Sequence, residues 1–288
     1  MNDPLEPSVP SAAALAMDRL LAIMARLRDP KGGCPWDLEQ SFRTIVPHTI
    51  EEAYEVADAI ERDDFKALPG ELGDLLFQVV FYSQMAAEAG HFRMEHVIAA
   101  INTKMIERHP HVFGTTSIET AEAQTVAWEV QKAKERAAEA AASGRAISVL
   151  DGVAAGLPAL TRAEKLQKRA ARIGFDWPEA EPVIDKVEEE IAELKAELGE
   201  QRKPARLDEE MGDLLFACAN LARHLGVEPE GALRRANAKF ERRFKRMEAM
   251  NAAESGSGVG QVTMPTSLEH LEALWQRVKA EEGKPAPQ

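Results

Sequence analysis

The sequence predicts an all-α protein, and three observations support this fold class. Apolar residues recur at the three- and four-residue spacing of amphipathic helices through most of the chain. Strand-like alternation is rare, and Gly or Pro stands between the periodic blocks. The chain has 288 residues, of which 45% are hydrophobic, and this length allows about two domains. We therefore expect helical bundles rather than a sheet.

Charge and cysteine content disfavour several classes of function. The net charge of −13 and the pI near 5.1 argue against binding to nucleic-acid polymers or anionic membranes. Cys34 and Cys218 form neither a disulfide framework nor a zinc motif, so a reducing cytoplasm is the expected location. The first ten residues carry acids and three prolines, which predicts no secretory signal, and no apolar run reaches membrane-spanning length. We expect residues 1–15 to form a flexible tail.

In the first half, two periodic segments each combine an apolar stripe with carboxylates. The stripes are Ile50, Tyr54, Ala57 and Ile60, then Leu72, Leu75, Leu76, Val79 and Val80. The acids follow the patterns EExxE and ExxD, and they are Glu51, Glu52, Glu55, Glu71 and Asp74. We expect the two segments to be neighbouring helices.

The second half repeats this arrangement. Its predicted core-facing stripes are Val183, Ile184, Val187, Ile191, Leu194 and Leu198, then Leu207, Met211, Leu214, Leu215, Cys218, Leu221 and Leu225. Its acids are Glu189, Glu190, Glu193, Glu210 and Asp213. Helical spacing places Glu190 and Glu193 together on one flank of the first stripe, with Glu189 further toward solvent. A short connection predicts an antiparallel hairpin in which these acids meet.

Later features also occur twice. Lys104 and Arg108 correspond to Lys239 and Arg243, and Trp128 with Lys132 corresponds to Trp275 with Lys279. Four features recur in the same order, offset by 138, 139, 135 and 147 residues, which indicates an internal duplication. We place the boundary at about residue 145, giving repeats at 16–145 and 146–288.

Acids that share a helix face repel one another, so a compensating ligand is expected. Mg²⁺ is the natural candidate because it takes oxygen ligands and often works through substrate phosphates, and Mn²⁺ is a plausible substitute. A single EExxE motif more often marks a helix face that is exposed to solvent, but its duplication with a matched ExxD favours a metal site.

Two other kinds of metal site are disfavoured. A di-iron site would need Glu-x-x-His, and Asp58 and Ala196 occupy the histidine positions. His109 and His111 lack the partners of a zinc site.

At these residues the chain resembles the MazG family of nucleoside triphosphate pyrophosphohydrolases in its two-repeat form. The resemblance extends through most of residues 15–280. Besides the acids, it rests on the segments Gly33–Asp37, Arg108–Phe113, Gly174–Trp177 and Asn237–Phe244. It implies an all-α homodimer that uses Mg²⁺ to hydrolyse NTPs or dNTPs between the α and β phosphates. The products would be NMP or dNMP and pyrophosphate, in a housecleaning role for the nucleotide pool.

The resemblance also implies roles for residues of the second repeat. Metal ligands fall on Glu189, Glu190, Glu193, Glu210 and Asp213. Phosphate and nucleotide contacts fall on Lys186, Lys239, Arg243, Trp275 and Lys279. We expect Glu190, Lys239 and Arg243 to be catalytic, and we assign Glu189 as the general base from its place at the edge of the acids. Trp275 is either a platform for the base or a core or dimer aromatic.

Two alternatives stay open at this point. The first repeat keeps a full set of candidate residues, Glu51, Glu52, Glu55, Glu71, Asp74, Lys104 and Arg108, although the resemblance favours a structural or regulatory role for it. The helix that presents its cations is expected to be shortened at Pro110. A non-catalytic nucleotide sensor or interaction module could also use the same helices. Base and sugar preference, and action on alarmone nucleotides, do not follow from the sequence.

Overall fold

The computed structural model describes residues 11–143, 146, 148–199, 203–255 and 267–282. Across these ranges the secondary structure is helical, without strands, which confirms the all-α prediction. The helices are α1 (Ala12–Leu27), α2 (Pro35–Glu39), α3 (Phe42–Glu61), α4 (Leu68–Glu88), α5 (Met94–Arg108), α6 (Pro110–Phe113), α7 (Ala121–Ser143), α8 (Ala159–Ala171), α9 (Glu181–Ala196), α10 (Pro204–His224), α11 (Pro229–Ser255) and α12 (Leu268–Glu282). None of the helices in these ranges is both long and apolar enough to cross a membrane.

The chain divides into two compact units, residues 1–132 and 133–288. The division falls within α7, whereas the predicted repeat boundary near residue 145 lies where residues 144, 145 and 147 are outside the described ranges. At the other end, α1 already begins at Ala12, where the Ser11 hydroxyl accepts the backbone N–H of Ala14 at 3.1 Å. The predicted tail therefore does not extend to residue 15, and residues 1–10 are outside the described ranges.

The first unit is built around the α3–α4 hairpin, with α1 and α5 packed on α4. Ser41 begins α3 through a reciprocal capping box with Thr44. The core of this unit contains Met24, Ile45, Val80, Phe81, Met85 and Met94. Phe81 is only 1% exposed, so its ring fills the middle of this core.

The second unit has the corresponding α9–α10 hairpin, with α8 packed against α10 and α11, and α12 packed against α11. Pro182 and Pro204 lie in the first turns of α9 and α10, where a missing N–H breaks no helical hydrogen bond. A separate apolar cluster joins α11 to α12, and it consists of Met247, Met250, Leu274 and Val278.

Part of the predicted core stripe in the second unit is wrong. Ile184, Leu198, Met211, Leu215 and Leu225 are each 43% exposed or more, and Cys218 is exposed as well. The buried positions of α10 are Glu210, Ala217, Ala219 and Asn220. The helix therefore turns a polar and small-residue face toward its own unit and leaves large apolar side chains on the surface.

One difference between the units follows the sequence prediction. In the first unit, α5 ends at Arg108 and a new helix begins at Pro110. In the second unit, α11 continues to Ser255 without a break. Pro110 thus shortens the helix that carries Lys104 and Arg108, as expected from the conformational restriction that proline places on its neighbours.

Candidate metal centres and an adjoining cavity

Three carboxylates from two helices converge in the second unit. Glu190 on α9 and Glu210 and Asp213 on α10 each offer an oxygen, and these oxygens lie within 4.8 Å of one another. Glu190 is 5% exposed and Glu210 is 4% exposed. Oε2 of Glu190 is buried with no hydrogen-bond partner among the described residues. Because an unsatisfied buried carboxylate oxygen is costly, this set of hard oxygen donors fits a divalent cation such as Mg²⁺.

Two basic side chains form ion pairs with the buried acids. Nζ of Lys186 lies 2.8 Å from Glu190 and 2.9 Å from Glu189. On α10, the guanidinium of Arg206 forms ion pairs with Glu210 and, at 2.6 Å, with Glu209. Burial raises the pKa of Glu210, while Arg206 opposes that rise and Glu193 adds to it by repulsion. The hydrogen bonds that the Lys186 ammonium donates to Glu189 and Glu190 raise the pKa of Lys186.

The structure thus brings together part of the predicted ligand set. Glu190, Glu210 and Asp213 form the cluster, and Glu193 is exposed but close enough to affect Glu210 electrostatically. Glu189 is separate from the cluster, because its side chain is 56% exposed and pairs with Lys186. This position agrees with the expectation that Glu189 faces solvent.

The first unit holds a comparable cluster of Glu52, Glu55 and Glu71, whose oxygens also lie within 4.8 Å of one another. The pKa of Glu52 is raised, first by burial and then by the charges of Asp74 and Glu55. Nε2 of Gln78 is 3.5 Å from Glu52. Glu51 is outside the cluster, 3.7 Å from Nδ1 of His48.

The remaining predicted contacts of the second repeat lie on α11 and α12. Arg243 pairs with Glu282 at 2.7 Å, and its guanidinium lies 6.0 Å from the ring centre of Trp275. Trp275 packs against Phe240 with 5.4 Å between ring centres, and Lys239 and Lys279 are exposed. Within the described ranges, none of the predicted contacts on these two helices forms a hydrogen bond or ion pair with the acids of α9 and α10.

A cavity of about 450 Å³ adjoins the second-unit acids. Lys186, Glu190 and Asp213 line one part of it. Its apolar walls include Leu150, Leu166, Phe175, Trp177, Val183 and Phe216. Asp176, Asn220 and Arg223 supply a further polar part. The volume lies within the range of about 300–1,000 Å³ that is typical of small-molecule sites.

The polar part of the cavity is a connected network. Arg223 donates to Asp176 Oδ2 at 2.9 Å and to Asn220 Oδ1 at 2.8 Å, and Nε2 of His224 is 3.0 Å from Asp176. These hydrogen bonds, with Arg223 as the main cause, hold the pKa of the Asp176 carboxyl below its usual range. The network fixes the loop before α9 to the end of α10.

Sequence reasoning missed Arg206 and this network. Arg206 precedes Glu210 by four residues, and that spacing on a helix was the available signal. In the sequence, Asp176 and Trp177 stand out only as part of the motif Gly174–Trp177. Nothing in the local pattern joins that motif to Arg223, which lies 47 residues later.

Each helical hairpin has a carboxylate cluster that could hold a metal ion, and a cavity adjoins the second cluster. These features define an all-α protein with a candidate small-molecule site. A sequence model of the MazG nucleotide pyrophosphohydrolase domain matches residues 40–113 and 179–247, one segment in each unit. The chain belongs to the MazG family.

Named relatives support this assignment. A nucleoside triphosphate pyrophosphohydrolase of Escherichia coli K12 is 53% identical over 92% of this chain and 98% of its own length. A protein of Thermotoga maritima named nucleoside triphosphate pyrophosphohydrolase/pyrophosphatase MazG is 40% identical over 93% of this chain and 97% of its own. A Mycolicibacterium smegmatis nucleoside triphosphate pyrophosphohydrolase is 34% identical over 55% of this chain and 48% of its own.

Proposed function

We propose that this protein is a Mg²⁺-dependent nucleoside triphosphate pyrophosphohydrolase. It hydrolyses NTPs or dNTPs between the α and β phosphates and releases a nucleoside monophosphate and pyrophosphate. Such an activity suits the removal of unwanted nucleotides from the cellular pool. The proposal also includes a homodimer in the cytoplasm and Mn²⁺ as a substitute metal.

The observation that carries the proposal is the convergence of Glu190, Glu210 and Asp213 in a member of this family. A triphosphate is polyanionic, and an acidic protein can hold it only where cations lie between carboxylate and phosphate. When bound, Mg²⁺ supplies positive charge at the phosphoryl oxygens and an orienting site for water. The buried, unpartnered Oε2 of Glu190 is the atom most in need of such a ligand.

The other side chains have separate tasks in this proposal. Water adds to the α phosphorus, the bond from that phosphorus to the oxygen bridging it to the β phosphorus breaks, and the electron pair of this bond leaves with pyrophosphate. Glu189 accepts the proton of the water, because its carboxylate is exposed and stands beside the cluster. Lys186 lies in the cavity wall and can move from Glu190 to a phosphate oxygen.

Lys239 and Arg243 are assigned to the leaving pyrophosphate, with Trp275 and Lys279 near the nucleotide. Arg243 would have to exchange its ion pair with Glu282 for a phosphate, which costs little because an ion pair at the protein surface contributes little to stability. Trp275 supports Arg243 by packing beside its guanidinium. These four residues act as one group on α11 and α12.

We infer that the second unit carries most of the activity. Its acids are more deeply buried, since Glu190 and Glu210 are nearly inaccessible whereas Glu52 and Glu71 are half-buried and Glu55 is exposed. Its cation-bearing helix is also unbroken, unlike α5. The first unit then serves a structural or regulatory role. Its own candidate site is the weaker one, and it consists of Glu51, Glu52, Glu55, Glu71, Asp74, Lys104 and Arg108.

The test is to incubate the protein with each NTP and Mg²⁺ and to measure pyrophosphate and orthophosphate separately. Pyrophosphate with a matching amount of monophosphate is expected, and chelation of the metal should stop its release. A Glu190→Gln protein, which keeps the size of the side chain, is the matched inactive control. Release of orthophosphate alone would show that the bond between the β and γ phosphates breaks instead. Binding of NTP without hydrolysis would show that the protein is a nucleotide sensor and not an enzyme.

A further inference from the structure

The acid clusters of the two units differ in their counter-ions. In the second unit, Lys186 and Arg206 each form an ion pair with a buried acid four residues later. The EExxE motifs are offset by 138 residues and the ExxD motifs by 139, so the first unit has His48 and Ala67 at the positions of these two cations. The first cluster therefore lacks both of the cations that the second cluster carries on its own helices.

The described part of the chain supplies no other cation to the first cluster. His48 lies 3.7 Å from Glu51, which is outside the cluster. Among the described residues, no lysine or arginine forms an ion pair with the cluster acids, which are Glu52, Glu55 and Glu71. Burial and the charges of neighbouring acids raise the pKa of Glu52, whereas Arg206 opposes the corresponding rise at Glu210. Acids that gather without a counter-ion repel one another, so this cluster favours a bound cation.

A buried amide adjoins the same acids. Gln78 on α4 is 7% exposed, and its Nε2 is 3.5 Å from a carboxylate oxygen of Glu52. Its Oε1 is buried and has no hydrogen-bond partner among the described residues, which costs free energy. A half-turn of the amide exchanges its two ends and brings this oxygen to the side of Glu52. There it can be a neutral metal ligand, whereas Ala217 at the aligned position of the second unit offers none.

The oxygens of this group come from both helices of the hairpin. Glu52 and Glu55 lie on α3, and Glu71 and Gln78 lie on α4. The carboxylate oxygens are within 4.8 Å of one another, and two oxygens that share a Mg²⁺ or Ca²⁺ ion are at most about 4–5 Å apart. Three carboxylates and one amide carbonyl suit a hard divalent cation without any substrate phosphate. A cation at this place would connect the two helices around which the unit is built.

We propose that the first unit binds a divalent cation in the absence of nucleotide, through the three acids of its cluster and the carbonyl oxygen of Gln78. The cation binds here more tightly than at the second unit, where it has to displace Lys186 and Arg206. It stabilises the α3–α4 hairpin, which gives the first unit a structural role. This role goes beyond the proposed function, because it needs neither a substrate nor turnover.

The test measures Mn²⁺ binding to the full-length protein without nucleotide, by isothermal titration at pH 8. The wild type should show two classes of site, with dissociation constants that differ at least about tenfold. Glu52→Gln keeps the size of the side chain and should remove the tighter class alone, and Glu190→Gln should remove the weaker class alone. Mn²⁺ should also raise the temperature of thermal unfolding, and Glu52→Gln should lose most of this rise.

Two exchanges install the second unit's cations in the first unit. His48→Lys places a cation four residues before Glu52, and Ala67→Arg places one four residues before Glu71. Each should raise the dissociation constant of the tighter class about five- to tenfold, because the new side chain competes with the metal. Leu15→Lys is the control, since it adds the same charge on α1 at a side chain that is 60% exposed. It should change the constant less than about twofold.

The amide is tested by Gln78→Ala, which installs the residue of the second unit, and by Gln78→Leu, which keeps the space filled. Each should raise the dissociation constant of the tighter class at least about fivefold and leave the weaker class unchanged. Circular dichroism verifies that each variant is folded. If Gln78→Ala does not fold, Gln78→Leu decides.

Three results would overturn the inference. The first is a tighter class that survives in Glu52→Gln or disappears in Glu190→Gln. The second is unchanged affinity in both His48→Lys and Ala67→Arg, and the third is unchanged affinity in both variants of Gln78. Since no nucleotide is present, these results do not depend on hydrolysis. A protein that binds Mn²⁺ as expected but releases no pyrophosphate from any NTP would refute the proposed function alone.

Discussion

Nζ of Lys186 lies 2.8 Å from a carboxylate oxygen of Glu190, one turn later on the same helix. The side chain of this glutamate is 6% exposed, and Arg206 forms the same i,i+4 relationship with buried Glu210. Each buried acid of the second-unit cluster thus has its own counter-ion. The two basic side chains supply positive charge at the carboxylates that the proposed metal would bind, so side chain and metal would compete for the same carboxylates.

Lys186→Gln should tighten metal binding while weakening nucleotide binding. Removing a positive charge a few ångströms from the acids favours a bound cation, and we expect the Mn²⁺ dissociation constant to fall about three- to tenfold. The KM for NTPs should rise about tenfold, because the same side chain is assigned to a phosphate oxygen. Isothermal titration with Mn²⁺ and steady-state kinetics measure the two effects. Lys195→Gln, an exposed position on the same helix, is the control.

Two aligned substitutions compare the units. Glu193→Ala removes an acid that stands beside the buried cluster and is a predicted metal ligand. We expect turnover to fall at least about a hundredfold, since the loss of a metal ligand would remove several kcal/mol of transition-state stabilisation. Glu55→Ala removes the aligned acid of the first unit and should leave turnover within about twofold. Pyrophosphate release at saturating NTP measures both. Full activity in Glu193→Ala together with loss of activity in Glu55→Ala would assign catalysis to the first unit.

The Asp176 carboxylate makes stability depend on pH. Arg223 first, and then His224, holds its pKa below the usual range. Because the folded value lies below the unfolded one, these bonds stabilise the protein at pH above about 4 and lose their contribution as the pH falls further. Asp176→Asn should lower the free energy of unfolding by about 1 kcal/mol at pH 7, a modest value because solvent partly screens the side chain.

Urea unfolding of the wild type and Asp176→Asn at several pH values between 7 and 3 tests this expectation. The difference between the two proteins should shrink toward the acid end, where the wild-type carboxylate is also neutral. Asp185→Asn, an exposed aspartate on α9, should show no such difference. A difference that is the same at every pH would show that shape rather than charge is responsible.

Spacing within one helix was enough to predict the helices, and the short connection between α9 and α10 was enough to predict that their acids meet. Helical spacing places Glu190 and Glu193 on one flank of their helix, but the structure buries Glu190 and leaves Glu193 exposed. Helical periodicity fixes the angle between two side chains and not the depth of either. How deeply a side chain is buried depends on the neighbouring helix. Here that helix is α10, whose Ala217 and Asn220 line the cavity beside Glu190, where larger side chains would fill the space.

The error in the predicted core stripe has the same origin. Met211 and Leu215 form an apolar face, yet they are 43% and 51% exposed. Periodicity shows that a helix face is apolar, but it does not state whether the partner lies in the same unit, elsewhere in the chain or in a second copy. The homodimer stays a prediction, and this face is where a second copy would have apolar surface to cover.

Trp275 provides the last prediction, because its position separates two roles that the sequence left open. Its ring packs against Phe240 and beside Arg243, and the α11–α12 cluster lies against it. Trp275→Leu should therefore act through Arg243, and the KM values for ATP, GTP, CTP and UTP should rise by one common factor of about three to ten. Loss of a stacking platform would instead affect purines more than pyrimidines, because a larger ring offers more stacking surface.

Phe240→Leu is the control, because it removes a ring that touches Trp275 without reaching Arg243 in the observed contacts. It should produce a smaller rise in the KM values, again without a base preference. A base-dependent response in Trp275→Leu would assign Trp275 as the platform on which the base stacks.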